Sequence, residues 1–193
     1  MILESAGELL LLPEYALTGS LILEKEVDLG LWIEAIKMAI GELRIPEGKE
    51  LLLNYIIKLE GNMYNCSQLF PSEKRQCKLH PDSIELENGL IPGMVEEVFE
   101  HNDKNYKVII CTDMRYIDSF NLIDVKFLVF VYHFSEYSLE RVLTDLKQIS
   151  KKYNIPILVS SILSDKNVGY SSYIYKDTVI SLPKIEGVLE IEF

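Results

Sequence analysis

The sequence predicts a single α/β domain, and three observations support that fold class. Four short segments are apolar at nearly every position, which is typical of strands buried on both faces of a sheet. Two longer segments repeat apolar residues at helical spacing. The length of 193 residues suits one domain, and a hydrophobic content of 48% is enough for one continuous core. We therefore expect residues 1–193 to form one domain of layered strands and helices.

The elements of the first half can be assigned in chain order. An apolar run over 9–12 predicts a buried strand, and apolar residues recurring every three or four positions predict a helix over roughly 29–43. The β-rich segments 51–59 and 63–70 flank Glu60-Gly61-Asn62. Because a Gly-Asn pair readily adopts positive φ angles, these two segments are predicted to form a hairpin.

The second half continues the same alternation. Apolar runs over 108–111, 127–131 and 155–159 predict buried strands, a helical pattern covers roughly 137–153, and β-rich segments over 170–175, 178–182 and 188–193 are expected to close the sheet. The segment 72–93 is polar and lacks periodicity. Long irregular segments within compact domains often carry function, so this one is a place to look for chemistry.

Charge and cysteine content exclude several classes of function. The 30 acidic and 19 basic residues give a formal net charge of −11, the wrong sign for binding nucleic acid or an anionic membrane surface. The N-terminus lacks a basic region followed by an apolar segment, and no apolar run is long enough to span a bilayer. Three cysteines are too few for a secreted disulfide framework, so we expect a cytoplasmic protein.

Three reactive side chains lie at strand ends or in the irregular segment. Glu14 directly follows the first buried strand, where partial desolvation would raise the pKa of a carboxylate toward that of a usable base. Lys78 lies in the polar segment 72–93, and Cys111 ends a buried strand at the point where polar residues must leave the sheet. Strand ends hold side chains rigidly beside a crevice, so Cys111 is the best-placed nucleophile in the sequence.

Each of these residues also has an ordinary structural explanation. A thiol that ends an apolar strand is more often a small buried hydrophobe than a nucleophile. Glu14 is also explained as a carboxylate favoured by a helix N-terminus, and Lys78 as a solvated loop lysine. Cys77 and His80 are spaced like half a zinc site, but the sequence has no second close pair to complete a tetrahedron, so no metal is predicted. His101 and His133 belong to no motif, and Cys66 is expected to be a small core residue.

Taken together and in order, these motifs resemble the three signatures of the nitrilase superfamily, the carbon-nitrogen hydrolases. That family has a Leu-Pro-Glu after a hydrophobic strand, a lysine followed two places on by histidine, and a Cys-x-Asp-x-Arg after another hydrophobic strand. Further segments resemble the family's Gly-Asn-x-Tyr-Asn hairpin, its Pro-Gly and its late serine-rich strand. The matching segments are Leu12-Pro13-Glu14, Lys78-Leu79-His80, Cys111-Thr112-Asp113-Met114-Arg115, Gly61-Asn62-Met63-Tyr64-Asn65, Leu90-Ile91-Pro92-Gly93 and residues 169–174.

The resemblance implies a mechanism and roles for the three residues. Cys111 would attack the carbon of an amide, carbamoyl group or nitrile and form a thioester, with Glu14 as general base and Lys78 stabilising the oxyanion. Ammonia or an amine and then a carboxylic acid would be released, with no cofactor. The Lys78 ammonium should also raise the thiolate fraction of Cys111.

The resemblance implies further roles near these three residues. Many members have a second glutamate that orients the substrate or water, for which we choose Glu87 and keep Glu85 as the alternative. Thr112, through its backbone N–H, and Tyr64 are further candidates for positioning the substrate. Asp113 and Arg115 are expected to support the site from behind, with Arg115 pairing with a carboxylate.

The implied fold is a four-layer α-β-β-α sandwich, apparently trimmed at the N-terminus, because most members have a strand and a full helix before their Leu-Pro-Glu. Members commonly associate through their helices, so a homodimer or a higher oligomer is expected. The alternative function is a catalytically inactive, trimmed relative that acts as a binding or subunit protein. A thiol redox protein is a third possibility, but it would require a Cys-x-x-Cys pair, which the sequence lacks.

Overall fold

A computed structural model of the chain describes residues 7–17, 29–133, 138–163, 169–183, 189 and 191–192. Among these residues the chain forms two sheets, three α-helices and one 3₁₀-helical segment. None of the described helices is long and apolar enough to cross a bilayer. The predicted closing strand over 188–193 lies largely outside the described residues.

The first sheet has four strands in the order β1-β2-β3-β4. Strand β1 pairs parallel with β2, and β2, β3 and β4 are successively antiparallel. The β2–β3 hairpin turns at Glu60 and Gly61, both of which have positive φ angles, as the sequence predicted. The four strands are β1 (Leu9–Leu11), β2 (Glu50–Leu59), β3 (Asn62–Phe70) and β4 (Lys74–Cys77).

The second sheet has six strands in the order β10-β9-β8-β7-β6-β5. The three central strands, β6, β7 and β8, are parallel, and their outer neighbours are antiparallel to them. The strands are β5 (Phe99–His101), β6 (Lys104–Ile110), β7 (Phe127–Tyr132), β8 (Ile157–Ser161), β9 (Tyr170–Tyr175) and β10 (Thr178–Pro183).

The sheets pack face to face and helices cover their outer faces, which gives four layers. Leu52 and Leu69 of the first sheet pack between the sheets against Val108, Ile110 and their neighbours in the second. Because side chains alternate along a strand, the intervening residues of the same strands face outward and contact the helices. The helices are α1 (Leu29–Glu42), which packs on the first sheet, α2 (Ser83–Glu87) and α3 (Leu139–Tyr153), which packs on the second. The predicted α-β-β-α sandwich is confirmed.

The polar segment 72–93 is more ordered than its sequence pattern predicts. It contains β4 and the short helix α2, neither of which has an apolar repeat. Asp82 and Glu85 form a capping box at the start of α2, in which each side chain accepts a hydrogen bond from the backbone N–H of the other residue. A single hydrogen-bonded turn needs no apolar face, so periodicity does not reveal it.

Two of the three cysteines form a disulfide, which differs from the expectation that they are reduced. Cys66 of β3 and Cys77 of β4 are directly opposite each other in the antiparallel ladder, with their Cα atoms 4.0 Å apart, and their sulfurs are bonded. Cys66 is therefore a disulfide partner and not the small free core residue that we expected. The pairing depends on the register of two strands, one of which was not predicted. Cys111 is the free cysteine.

Candidate active site

Cys111 lies at the carboxyl end of β6, where the backbone turns sharply into a 3₁₀-helical segment, Cys111–Ser119. Its φ angle is 47°, in the left-handed region that non-glycine residues seldom adopt. Residues held in such conformations cluster at active sites, where the surrounding structure stabilises them. The side chain is partly buried and lines a cavity of about 370 Å³. The turn therefore places Cys111 at the edge of the cavity.

Glu14 follows β1 and is almost completely buried, with 1% of its surface exposed. Its backbone is fixed from two directions. Nε2 of His133, after β7, donates to the carbonyl oxygen of Glu14 over 2.9 Å, and the backbone N–H of Tyr15 donates to Oδ1 of Asn54 over 2.8 Å. Tyr15 itself has a φ angle of 55°. A buried carboxylate in a constrained turn thus lies between the two sheets.

Lys78 follows β4 and brings two buried carboxylates together. Its Nζ is 3.2 Å from Oε1 of Glu14 and 2.7 Å from Oε2 of Glu85, and all three side chains are at most 2% exposed. The backbone N–H of Lys78 donates to the carbonyl oxygen of Asn65, and the backbone N–H of Gly93 donates to the carbonyl oxygen of Lys78, each over 2.8 Å. A Cβ at Gly93 would lie 2.7 Å from the carbonyl oxygen of Cys77, so only glycine fits this close approach.

Asn65 of β3 joins the two carboxylates directly. Its Nδ2 donates to Oε1 of Glu14 over 2.9 Å and to Oε1 of Glu85 over 2.8 Å, and its Oδ1 accepts from Nδ2 of Asn54 over 2.9 Å. The Tyr15 hydroxyl also donates to Oε1 of Glu85. Buried polar groups need partners, and in this cluster each of these side chains has at least one. We name Glu14, Asn65, Lys78 and Glu85 the buried charge cluster.

The structure selects Glu85 over Glu87 as the second glutamate near Lys78. Glu85 is 1% exposed and contacts Lys78, Asn65 and Tyr15, whereas Glu87 is exposed on α2. The choice of Glu87 is corrected for this reason. The two residues are two positions apart on a helix and therefore point in different directions, which counting along the sequence does not resolve.

The charges in this cluster shift one another's pKa values. Burial alone would lower the pKa of the Lys78 ammonium, but the neighbouring Glu14, Cys111 and Glu85 outweigh burial and raise it. Burial would raise the pKa of Glu85, but the Lys78 charge and hydrogen bonds from Lys78, Tyr15 and Asn65 lower it overall. Lys78 is thus held as a cation and Glu85 as an anion.

The pKa of the Cys111 thiol is raised well above its ordinary value. Burial is the main cause, and the Glu14 and Glu85 charges and a hydrogen bond with Glu14 act in the same direction, whereas Lys78 lowers it. Lys78 lowers the pKa of the thiol, as expected, but burial and the two carboxylates outweigh this effect. The resting thiol is protonated, so any attack by sulfur requires a base beside it.

Asp113 connects the nucleophile turn to the Lys78 segment. Its buried carboxylate accepts hydrogen bonds from the backbone N–H groups of Leu79, over 3.2 Å, and His80, over 2.7 Å, and lies 3.0 Å from Nδ1 of His80. Oγ1 of Thr112 donates to the carbonyl oxygen of His80 over 2.6 Å. These bonds fix the position of Cys111 relative to Lys78.

Two other predicted site residues, Tyr64 and Arg115, do not make the contacts expected of them. Tyr64 neighbours Asn65 on β3, and because side chains alternate along a strand, it points away from the face that carries the buried charge cluster. Arg115 is exposed on the wall of the cavity beside Cys111. Among the described residues no carboxylate lies within ion-pair distance of Arg115, so the expected pairing is not found there.

Sequence reasoning missed the contributions of Asn54, Asn65, Tyr15 and His133. A signal was present for the two asparagines, because each is a polar residue within an apolar, β-rich segment, and a buried amide requires partners. His133 had no such signal, since its contact with Glu14 spans 119 positions of the chain. Among the described residues no group of three or more His, Cys, Asp and Glu side chains is arranged to hold a metal ion.

Solved structures with the same architecture include several hydrolases. An amidase from Nesterenkonia of the nitrilase superfamily is 13% identical, with a TM-score of 0.74 over 94% of this chain and 76% of its own. A CN-hydrolase superfamily protein of Xanthomonas campestris is 15% identical, with a TM-score of 0.70 over 97% of this chain and 78% of its own.

This chain has the nitrilase-superfamily fold. The glutamine-dependent NAD⁺ synthetase of Acinetobacter baumannii is also similar, with 14% identity and a TM-score of 0.70 over 96% of this chain. The chain spans 42% of the length of that synthetase. The sequence matches no protein-family model and no curated protein. The nitrilase fold therefore rests on three-dimensional similarity at low identity.

Proposed function

We propose that this protein is an amidase-like hydrolase of carbon-nitrogen bonds other than peptide bonds, with Cys111, Glu14 and Lys78 as its catalytic residues. The observation that carries the proposal is the convergence of the Cys111 thiol with a buried carboxylate and a buried ammonium from two other strand ends. Side chains from positions 14, 78 and 111 have no local reason to meet. Nucleophile, base and electrophilic group within one site are the requirements of acyl transfer.

In the proposed acylation step, Glu14 accepts the thiol proton as the Cys111 sulfur attacks the carbonyl carbon of the amide or carbamoyl group. With a nitrile, the attack gives a thioimidate, and addition of one water molecule then releases ammonia and leaves the thioester. The raised pKa of the thiol makes this proton transfer necessary. The developing oxyanion would be stabilised by the Lys78 ammonium and by the backbone N–H of Thr112. Glu14 then returns the proton to the departing ammonia or amine, and a thioester remains on Cys111.

In the second step, Glu14 activates a water molecule that hydrolyses the thioester and releases a carboxylic acid. Glu85 has a supporting part in both steps, since its carboxylate keeps Lys78 charged and, through Asn65, is linked to the carboxylate of Glu14. Removal of Glu85 would leave Lys78 paired with Glu14 alone. A fully paired base is a poorer proton acceptor, so we propose Glu85, and not Glu87, as the second glutamate. Its proposed part is to share the charge of Lys78, which differs from the orienting role that the resemblance implied.

The similar structures support this proposal without naming a substrate. They include amidases, and the active-site cysteine of a Nesterenkonia amidase variant forms a Michael adduct with acrylamide. We extend to this chain the expectation of a small amide, carbamoyl or nitrile substrate. Membership of the nitrilase superfamily, a homo-oligomeric state and a cytoplasmic location remain predictions.

The test is ammonia release from a panel of short ω-amides, N-carbamoyl amino acids and nitriles. The intact protein is expected to release ammonia from at least one compound, and Cys111→Ala to release none. Glu85→Gln should reduce the rate by about 10-fold or more, consistent with a hydrogen-bonded charge near the reacting groups, whereas the matched Glu87→Gln should leave it unchanged. Circular dichroism would establish that each variant is folded.

The contrary outcome would favour the alternative function. If the folded protein releases ammonia from none of the compounds and its free thiol reacts with no amide or nitrile in intact-mass spectra, the chain is an inactive relative with a binding or subunit role. Equal activity of the Glu85→Gln and Glu87→Gln variants would remove Glu85 from the mechanism while leaving the hydrolase proposal in place.

A further inference from the structure

The two nitrogen donors that reach the carboxylate of Glu14 meet the same oxygen atom. Nδ2 of Asn65 lies 2.9 Å from Oε1, and Nζ of Lys78 lies 3.2 Å from it. A carboxylate oxygen accepts roughly two hydrogen bonds, so Oε1 is fully engaged. Among the described residues, no backbone or side-chain nitrogen donates to Oε2. The Cys111 thiol also forms a hydrogen bond with Glu14, and Oε2 is the acceptor that remains for it.

Glu85, the other carboxylate of the buried charge cluster, has no open oxygen. Its Oε1 accepts from the Tyr15 hydroxyl and from Nδ2 of Asn65. Its Oε2 accepts from Nζ of Lys78 and from the backbone N–H of Asp82. A carboxylate whose lone pairs are all engaged can take a thiol proton only by breaking one of these bonds. The count of donors therefore separates the two glutamates: the one after β1 can act as a base, and the one on α2 is committed to the cluster.

The amide of Asn65 has one orientation that fits this site. Its two N–H groups donate to the two carboxylates, and its Oδ1 accepts from Nδ2 of Asn54 over 2.9 Å. The reversed amide would place an oxygen against both carboxylates. Asn54 is fixed in turn, because its Nδ2 donates to Oγ of Ser67 over 3.0 Å and its Oδ1 accepts from the backbone N–H of Tyr15 over 2.8 Å. The direction of these amides is thus set by the backbone of the residue that follows Glu14.

Asn65 acts on the site from behind and not from the cavity. It is 1% exposed and shares its face of β3 with Leu69, which packs between the sheets. The walls of the cavity beside Cys111 are formed by other residues. Because an amide carries no charge, Asn65 can hold Oε1 of Glu14 without competing for the proton.

We propose that Asn65 is a positioning residue for the general base: it holds Oε1 of Glu14 beside Lys78, so that Oε2 faces the Cys111 sulfur and exchanges the proton there. This inference rests on the proposed function for the reaction, but the orientation of Glu14 is testable without turnover. In acylation of an amide the S–H bond breaks, the S–C bond forms and the proton moves to Oε2. The proton then passes to the departing nitrogen as the C–N bond breaks.

The kinetic test separates orientation of the base from binding of the substrate. Asn65→Leu, which has a similar volume but no donor, is expected to lower kcat about 10- to 100-fold on the compound that the unaltered protein cleaves. KM should stay within about twofold, because Asn65 is not part of the cavity wall. Asn65→Asp keeps the shape without the donors and should lose as much. Ser67→Ala removes the other acceptor of the Asn54 amide on the same buried face and should leave kcat unchanged.

The titration of the thiol tests the same orientation without turnover. The hydrogen bond with Glu14 is one of the causes that raise the pKa of Cys111. Asn65→Leu should therefore lower the midpoint of iodoacetamide alkylation by about 0.5–1 pH unit, the equivalent of one hydrogen bond. In a Glu14→Gln background the same substitution should shift the midpoint by no more than about 0.3 unit, since no carboxylate is left to orient. Ser67→Ala should not shift it.

The outcomes distinguish this inference from the proposed function. Unchanged kcat in folded Asn65→Leu and Asn65→Asp, or a midpoint shift of equal size with and without Glu14, would overturn the positioning role even if the protein is an amidase. A midpoint shift that depends on Glu14, without ammonia release from any compound, would instead reject the proposed function and retain the orientation of Glu14 by Asn65. If Asn65→Leu does not fold, Asn65→Ala replaces it in both measurements.

Discussion

The buried charge cluster differs from a second charged region near Cys111, the arginine wall, which consists of Arg115 and Arg141 on the cavity that Cys111 also lines. The two regions are built in opposite ways. In the cluster, Lys78 is 1% exposed and lies within 3.2 Å of both Glu14 and Glu85. On the wall, Arg115 and Arg141 are exposed and have no ion-pair partner among the described residues. One region has its partners within the protein, and the other has room for a partner from outside.

This difference indicates which groups contribute to the stability of the fold. A buried ion strongly destabilises the fold when its partner is removed, because the remaining charge is desolvated without compensation. An exposed guanidinium is hydrated in the free protein and gives up that hydration only when a ligand supplies an anion. The cluster should therefore affect both stability and activity, whereas Arg115 and Arg141 should contribute little to stability.

The largest expected effect separates the two regions directly. Lys78→Ala would leave Glu14 and Glu85 buried without their cation, so we expect a loss of about 3–5 kcal/mol in the free energy of unfolding and complete loss of activity. Arg141→Ala removes the same charge from the surface and should change the free energy of unfolding by no more than about 0.5 kcal/mol. Urea denaturation followed by fluorescence measures both.

Equal stability of the Lys78→Ala protein and the unaltered protein would show that the cluster is hydrated in solution. A stability loss in Arg141→Ala as large as that in Lys78→Ala would show that Arg141 has a partner in the folded chain. Either result would remove the contrast between the two regions.

The next effect concerns the disulfide that lies behind the cluster. Cys66 and Cys77 directly adjoin Asn65 and Lys78 along the chain, so the bond ties together the two strands that supply these side chains. Reduction should lower the free energy of unfolding by about 2–3 kcal/mol, the range for a loop of this length. Denaturation with and without dithiothreitol measures the difference, and a Cys66→Ala/Cys77→Ala double variant should not respond to the reductant. If all three thiols are alkylated in urea without a reductant, the bond does not form in solution.

The smallest expected effect is on the pKa of the Cys111 thiol, which is measured by the pH dependence of its alkylation. Because burial and the Glu14 charge raise the pKa of Cys111, alkylation by iodoacetamide should be slow at neutral pH, with a midpoint above the value of about 8.5 for a free cysteine. Glu14→Gln removes one of the charges that raises the pKa, so the midpoint should move down. The same thiol in the urea-unfolded chain is the reference. A folded-state midpoint below that reference would mean that the effect of Lys78 outweighs burial.

Much of the fold was predictable because its signals are local. The runs that became β1, β6, β7 and β8 are apolar on consecutive residues, a pattern that only strands covered on both faces require. Helices α1 and α3 were recognisable by their repeat, and the hairpin by its turn. By contrast, β4 and α2 were not predicted, since three polar residues with one cysteine and one capped turn carry no periodic pattern.

The identity of Glu14, Lys78 and Cys111 as candidates came from the sequence, because each follows a buried strand or occurs in a recognisable motif. Only the tertiary structure decided their mutual contacts, the choice of Glu85 over Glu87, the pairing of Cys66 with Cys77 and the presence of Arg115 and Arg141 on one cavity. A motif depends on residues adjacent in the chain, whereas an ion pair, a disulfide or a cavity wall depends on strand register and helix rotation. Register and rotation are set by the packing of the two sheets and their helices as a whole.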